Sequence, residues 1–274
     1  MRILIFGGTG YIGSRLASFL VSKKYEVGNV SRRESKISAV KNFSINDDLL
    51  FVLNSFMPDK IIYLSACFNN EDINEIVNVN INIPLNILKI IEHMEGVEFI
   101  YTGSYWQFGD RSVPHVPIDL YSASKKAVLP FLDYYNNYTK VRCKEIVLYG
   151  TYGESDGRGK LLDYLLNSAL SNELVELTEG NQKLNLVNIR DICKAIESII
   201  LTKDEVKFAI KSSEEYSPRR IVELIRKHTT LDVKFGIKPY RKVELMSPSY
   251  PDCYRIITVR DSLPHYIRNR LNQE

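Results

Sequence analysis

The sequence predicts an α/β chain built as a doubly wound parallel sheet, with helices on both faces and a smaller mixed C-terminal lobe. Two observations predict it. Short apolar strands alternate with helix-period stretches over roughly the first 150 residues, the pattern that builds a parallel sheet covered on both faces. The first strand also runs straight into a glycine turn that opens a helix. At 274 residues and 45% hydrophobic, the chain can bury the core of one extended domain or of a domain plus a lobe. The expected division is residues 1–150 and 151–274, with the chain crossing between the two.

Residues 3–6 are a continuous apolar run ended by glycine, which reads as a strand buried on both faces. Gly7-Gly-Thr9-Gly10-Tyr11-Ile12-Gly13-Ser14 follows, and Arg15-Leu-Ala-Ser-Phe-Leu-Val continues as a helix. Gly7 permits the tight turn, Gly10 lets the main chain approach a pyrophosphate, and Gly13 lets the helix lie against the strand. Unpaired N–H groups at the helix start then hold the anion. The unit reads as Rossmann-type. Further strands are expected at 26–30, 43–45, 60–64, 97–101 and 143–148. Helices are expected at 49–56, 72–93 (bent at Pro84) and 121–137. Beyond residue 150, helices at 161–170 and 217–228 belong to the lobe, the second as structural support. Ligands on such sheets sit at the carboxyl ends of the strands.

The second of those ends indicates the dinucleotide. An NAD-binding unit places an acid about 20 residues past the glycines, on the adenine ribose. Here the strand at 26–30 ends in Ser31-Arg32-Arg33, donors suited to a 2′-phosphate. NADP(H) is therefore expected, against the alternative of two solvated arginines, and Glu34 beside them pulls the other way.

Composition narrows the function classes. A net charge of +3 with both signs scattered argues against a nucleic-acid or membrane surface. The N-terminal apolar run is too short for a signal segment, so a cytoplasmic protein is expected. Cys67, Cys143, Cys193 and Cys253 are widely spaced, as are His93, His115, His228 and His265, so reduced thiols and no metal site are expected.

The strand at 97–101 empties into Thr102-Gly103-Ser104-Tyr105-Trp106-Gln107, and Tyr121-Ser-Ala-Ser-Lys125 follows. Tyr121 and Lys125, four apart, share one helix face. A phenol titrates near ~10, and an ammonium one turn away, with an oxidised nicotinamide, is expected to lower that by ~1–3 units. Tyr121 then serves as an acid or base, and Ser104 orients the same substrate oxygen. With 17 tyrosines in the chain, a chance Tyr-x-x-x-Lys pair is the alternative.

Gly7-x-x-Gly10-x-x-Gly13, Ser104 and Tyr121-x-x-x-Lys125 together resemble the extended short-chain dehydrogenase/reductases that act on nucleotide sugars, over nearly the whole chain. Leu64-Ser65-Ala66-Cys67 resembles the family segment that runs past the nicotinamide ribose. Asn80 resembles the asparagine that ties the active-site backbone together. The resemblance implies that Lys125 also bonds the nicotinamide ribose and that Tyr121 donates the proton.

Within the family the chain is most similar to the CDP-abequose and CDP-paratose synthase type, which reduce nucleotide-linked 4-keto-dideoxyhexoses for surface-polysaccharide sugars. The matching stretches are Leu148-Tyr-Gly-Thr-Tyr152-Gly153, Asp156-Gly157-Arg-Gly-Lys160, Leu177-Thr-Glu-Gly180, Ile189-Arg-Asp191, Phe235-Gly236 and Arg241. One stretch departs: Leu184-Asn185-Leu186 stands where the family commonly has Arg-Asp-Phe, and Lys183 or Arg241 is the candidate replacement for the phosphate-gripping arginine. The candidate cofactor set is Gly7, Thr9, Gly10, Tyr11, Ile12, Gly13, Ser31, Arg32, Arg33, Leu64, Ser65, Ala66, Asn80, Tyr121, Lys125 and Leu148.

Reaction class follows from the residues after Ser104. Family dehydratases carry an acidic pair there; Tyr105, Trp106 and Gln107 cannot do that work. The expected reaction is NADPH-dependent reduction of a CDP- or dTDP-linked 4-keto sugar. A 4-epimerase with bound NAD, or a non-catalytic dinucleotide sensor, are the alternatives. Substrate-side candidates are Cys67, Tyr105, Trp106, Gln107, Lys160 and Arg241. Trp106 faces the hexose or anchors its loop, Gln107 bonds a sugar hydroxyl, and Lys160 faces a phosphate or solvent. Arg241 grips two phosphate oxygens or forms a surface ion pair. A homodimer is expected, with Phe131, Tyr134 and Tyr135 lining the interface or packing inward.

Overall fold

The computed structural model describes the whole chain apart from Ser155, Asp204, Glu205, Gln273 and Glu274. The first half runs β1 (Arg2–Phe6), α1 (Tyr11–Ser22), β2 (Glu26–Ser31), β3 (Val40–Ser44), α2 (Leu49–Phe56) and β4 (Lys60–Tyr63). It continues with α3 (Ile73–Val77), a π segment (Asn78–Asn82), α4 (Ile83–Ile91), β5 (Glu98–Ser104) and a 3-10 turn (Tyr105–Phe108). The short hairpin β6 (Gly109–Asp110) and β7 (Val113–Pro114) then leads to α5 (Leu120–Ala127), α6 (Leu129–Tyr138) and β8 (Arg142–Leu148). The second half holds β9 (Gly150–Tyr152), α7 (Leu161–Ser171), β10 (Val175–Glu176), β11 (Leu184–Asn188) and α8 (Ile189–Leu201). It ends with β12 (Lys207–Ser212), β13 (Glu215–Tyr216), α9 (Pro218–Arg226), β14 (Val233–Lys234), β15 (Arg255–Val259) and α10 (Leu263–Leu271).

Eight of these strands form one sheet in the order β15-β12-β8-β5-β4-β1-β2-β3, each neighbouring pair parallel. Side chains alternate across a strand, so β1 sends Ile3 and Ile5 to one face and Leu4 and Phe6 to the other. On the first face α1 and α8 contribute Leu16, Leu20, Ile192 and Ile196. On the second, α2, α4 and α6 contribute Val52, Leu53, Ile87, Leu88 and Leu132. Both faces are covered, which is why the strands read as continuous apolar runs. A separate core, built from Leu165, Leu166, Ile221, Ile225, Leu263 and Ile267, holds α7, α9 and α10 together as the lobe. The chain leaves the sheet after β8, then returns to it through α8, β12 and finally β15, so residue 150 is not a clean cut.

Several elements depart from expectation for identifiable reasons. The third strand begins at Val40 instead of residue 43, because Val40 is buried and pairs with Val27. The expected helix at 72–93 is broken into α3, the π segment and α4. Pro84 has no N–H, so the carbonyl four residues back, that of Asn80, lacks its helical donor. The Tyr101 hydroxyl donates to it instead at 3.1 Å, and the Tyr63 hydroxyl donates to the Val79 carbonyl. The expected helix at 121–137 likewise divides at Val128, just before Pro130. Of the three aromatics expected to line an interface, all on α6, Phe131 and Tyr134 are exposed, whereas Tyr135 is buried in the core and lines no surface.

Candidate active site

The carboxyl ends of β1, β2, β4, β5 and β8 converge on one rim of the sheet. At β1, Gly7 adopts φ +86° and its carbonyl accepts from Gly10 N at 3.0 Å. A side chain at Gly13 would place Cβ 2.2 Å from the Gly7 carbonyl oxygen, so only glycine lets α1 sit this close. No side chain caps α1 at Gly10, leaving its first N–H groups for an anion. Thr9, Tyr11 and Ile12 complete the turn, each partly buried. The Tyr11 ring lies between two guanidinium groups, Arg15 at 4.8 Å and Arg158 at 4.2 Å.

At the end of β2, Arg32 and Arg33 are exposed and no acid stands at the strand end. Ser31 behaves otherwise than expected. It is buried, donates to Asn29 Oδ1 at 2.7 Å and accepts from Thr9 N at 3.4 Å. Its hydrogen is therefore spent inside the fold, and its work is to tie the β2 end to the glycine turn. Asn29 continues the network to Asn42, which holds the Ser35 backbone and so shapes the arginine loop.

The Leu64-Ser65-Ala66-Cys67 segment leaves β4 partly exposed along the rim, with Leu148 at the end of β8, also partly exposed. Asn80, in the π segment, is fully buried and holds the far end of this segment, at Cys67, with both its amide oxygen and its amide nitrogen. Its Oδ1 accepts from Cys67 N at 2.9 Å and its Nδ2 donates to Cys67 O at 3.0 Å and to Ser124 Oγ at 2.8 Å. Asn80 thus acts on backbone and on α5, with its side-chain groups committed there.

Ser104, Tyr121 and Lys125 meet beside that segment. Asp119 caps α5, accepting from Ser122 N at 2.7 Å, and Asn70 accepts from Tyr121 N at 2.9 Å, which fixes the start of the helix. Tyr121 is partly buried, with the exposed Phe68 ring 4.7 Å away. Burial pushes the phenol above its ordinary range, and the Ser104 hydroxyl pulls it back down. Lys125, the expected source of a lowering, lies 4.6 Å over the Tyr101 ring and is itself drawn down to about 7 by burial, with Glu145 opposing. Lys125 Nζ is buried and has no hydrogen-bond partner. An orphaned ammonium beside a glycine cradle and an uncapped helix fits a dinucleotide, whose ribose hydroxyls are the missing acceptors.

On the substrate side, Tyr105 stacks on Tyr149 at 4.9 Å and meets Trp106 edge-on. Arg241 lies 5.9 Å over the partly buried Trp106 ring. Partial desolvation and the like charges of Arg158 and Arg241 lower the Lys160 ammonium, which gathers three cations on this side. Lys183 lines a different polar cleft with Lys211 and Arg220, at the end of β12. Gln107 does not face a sugar. It is fully buried, accepting from Ser104 N at 3.0 Å and donating to Glu145 at 2.7 Å. Among the described residues no cluster of His, Cys, Asp or Glu is arranged to hold a metal, and no helix is long and apolar enough to cross a membrane.

Residues 3–210 match the NAD dependent epimerase/dehydratase family. The chain belongs to that family. Among curated relatives of this family member is a CDP-abequose synthase of Yersinia pseudotuberculosis, 33% identical over 100% of both chains. A CDP-abequose synthase of Salmonella muenchen is 22% identical, over 89% of this chain and 87% of the other. Among solved structures, Thermus thermophilus UDP-glucose 4-epimerase in complex with NAD superposes with a TM-score of 0.81 at 20% identity, covering 99% and 98% of the two chains. The likeness shows that the family member shares that fold, a large parallel sheet with flanking helices.

Sequence reasoning missed Asn70, Phe68, Ser124, Arg158 and Glu145. Each joins the site through a partner far away in the chain, so no local spacing marks it. Only Arg158 left a signal, in the Asp156-Gly-Arg stretch, where the buried Asp156 carboxylate pairs with its guanidinium.

Proposed function

We propose that the chain reduces the 4-keto group of a nucleotide-diphosphate-linked deoxyhexose, a CDP- or dTDP-4-keto-6-deoxy- or 3,6-dideoxyhexose, using NADPH. One observation carries the reading. Ser104, Tyr121 and the unpartnered Lys125 stand together on the strand rim, and the turn Tyr105–Phe108 brings no carboxylate beside them. That set protonates a keto oxygen but lacks the acid–base pair that expelling water requires. Similarity to CDP-abequose synthases supports a CDP-linked sugar. Arg32 and Arg33, in place of an acid, support the adenosine 2′-phosphate.

Bound NADPH supplies the hydride that reaches carbon 4. The rest belongs to the chain's own groups. The N–H groups at the start of α1 hold the pyrophosphate, and Lys125 bonds the nicotinamide ribose. Ser104 and Tyr121 donate to the keto oxygen and polarise the carbonyl. Burial keeps the Tyr121 phenol protonated, the state a reduction needs. As charge develops on the oxygen, Tyr121 gives up its proton and the Lys125 ammonium stabilises the phenolate. Arg158, Lys160 and Arg241 supply the positive field for the diphosphate that Leu184 cannot. A diffusible NADPH pool implies a cytoplasmic enzyme, and the exposed Phe131 and Tyr134 face of α6 supports a homodimer.

The test is NADPH absorbance on adding a nucleotide-linked 4-keto-6-deoxyhexose. The reading expects stoichiometric oxidation, slowed by about a hundredfold or more in Tyr121→Phe. Inversion of the sugar with no added cofactor would instead identify an epimerase, and NADPH binding without turnover a sensor.

A further inference from the structure

Glu145 has no part in the mechanism above, yet it lies directly behind it. It sits on β8, paired with Tyr101 of β5, and only 2% of it is exposed. Each carboxylate oxygen has its own donor: Gln107 Nε2 at 2.7 Å from Oε1, and the Tyr254 hydroxyl on Oε2. Gln107 reaches onward, its Oε1 accepting from Ser104 N at 3.0 Å. The strand makes room for the pair. A Cβ at Gly103 would lie 2.5 Å from Glu145 Oε1 and 2.8 Å from Gln107 Oε1.

We infer that Glu145 is a positioning residue of the reductase site: through Gln107 it fixes the Ser104 backbone, and its charge balances the buried Lys125 ammonium. The inference rests on the proposed reduction only for what that balance accomplishes. Glu145 is hydrogen-bonded by Gln107 from the 3-10 turn and Tyr254 ahead of β15, and interacts through charge with Lys207 of β12, Asp133 of α6, Tyr101 of β5 and Lys125 of α5. Lys207 and Asp133 pair with each other at 2.9 Å, while Glu145 is the acid that acts on Lys125. Lys125 otherwise faces the uncharged Tyr101 ring and has no hydrogen-bond acceptor. Burial draws the lysine down and Glu145 draws it up, so removing the carboxylate charge lowers Lys125 further. At the end of the transfer the proton has passed from Tyr121 to the new hydroxyl, and a charged lysine is what the remaining phenolate requires.

Glu145→Gln separates the two arms, because the amide still accepts from Gln107 while carrying no charge. The Lys125 titration, followed by NMR of ε-13C-labelled lysine in the cofactor-free protein, is expected to shift down by about one pH unit. The alkaline limb of NADPH oxidation should move down by the same amount. Gln107→Leu should lower kcat about tenfold with KM unchanged, and, by removing one donor from the carboxylate, shift the Lys125 midpoint down by less than Glu145→Gln does. A folded Glu145→Gln protein with an unshifted Lys125 midpoint overturns the inference. If that variant does not fold, Tyr254→Phe removes one donor from the carboxylate and must shift Lys125 the same way by a smaller amount; no shift there overturns it equally. Wild-type protein that oxidises no NADPH with any 4-keto sugar refutes the proposed function, while the lysine titration still decides the role of Glu145.

Discussion

At Tyr121 the chemistry turns on which proton state the fold favours. Burial holds the phenol protonated and Ser104 moderates it, the state the proposed reduction needs. Tyr121→Phe should cost about 10²–10⁴ in kcat while leaving NADPH affinity unchanged, as measured by fluorescence titration. The pairing of Tyr121 with Lys125 was legible from their spacing alone, because residues four apart share a helix face. Their electrostatics were not, since the lowered lysine depends on burial against Tyr101 and on Glu145, which is 20 residues further along the chain. Ser31 and Gln107 teach the same lesson: polar side chains at a site read as ligand contacts until their bonds to Asn29 and Glu145 are seen. Arg32 and Arg33 carry no such commitment to an acid in β2. Replacing both by Ala should weaken NADPH by about 100-fold and leave NADH nearly unaffected, which parallel titrations check.

Among the elements, the π segment has the largest consequence for the site. Pro84 announced a bend, and the sequence was legible that far. What the bend does was not, because it depends on Tyr63 and Tyr101 arriving from β4 and β5 to satisfy the freed carbonyls. The widened turn carries Asn80, which joins the rim segment at Cys67 to Ser124 on α5. Asn80→Ala leaves the Cys67 N–H and carbonyl without those partners, at about 1–3 kcal/mol for each buried group. Thermal unfolding should fall by several degrees and NADPH affinity should fall with it. An unchanged Tm would mean that water replaces the amide without loss.

Across the whole molecule, the alternation of strands and helices fixed the architecture of the first half, and the glycine turn located its ligand rim. The return of β12 and β15 to the sheet was not legible, since the mostly exposed residues of β15 carry no mark of a parallel partner 47 residues earlier. Glu98 shows how the opposite end of the sheet is held: it is buried with Lys144 Nζ at 2.9 Å and Arg142 Nε at 3.2 Å. Glu98→Gln leaves the buried Lys144 undercompensated and should destabilise the fold by about 3–5 kcal/mol in urea unfolding. Stability should also vary with pH in a particular way. Burial raises Glu145 from 4.5 to about 7, so the folded state keeps a proton that the unfolded chain releases, and stability falls as pH rises across that window. Burial lowers Lys125 from 10.5 to about 7, so the folded state sheds its proton first and stability recovers above neutrality. Urea midpoints should favour Glu145→Gln over wild type increasingly between pH 5 and 7, the acid side of that minimum.

The central claim, hydride delivery to a sugar carbonyl with Tyr121 as proton donor, has one direct measurement. NADPH carrying deuterium at its transferable position is mixed with a CDP-linked 4-keto-deoxyhexose, and the product is read by mass and NMR. The account predicts one deuterium at carbon 4 for each NADPH consumed, with consumption slowed about 10²–10⁴-fold by Tyr121→Phe. A product inverted at carbon 4 but unlabelled, with NADPH intact, would contradict it.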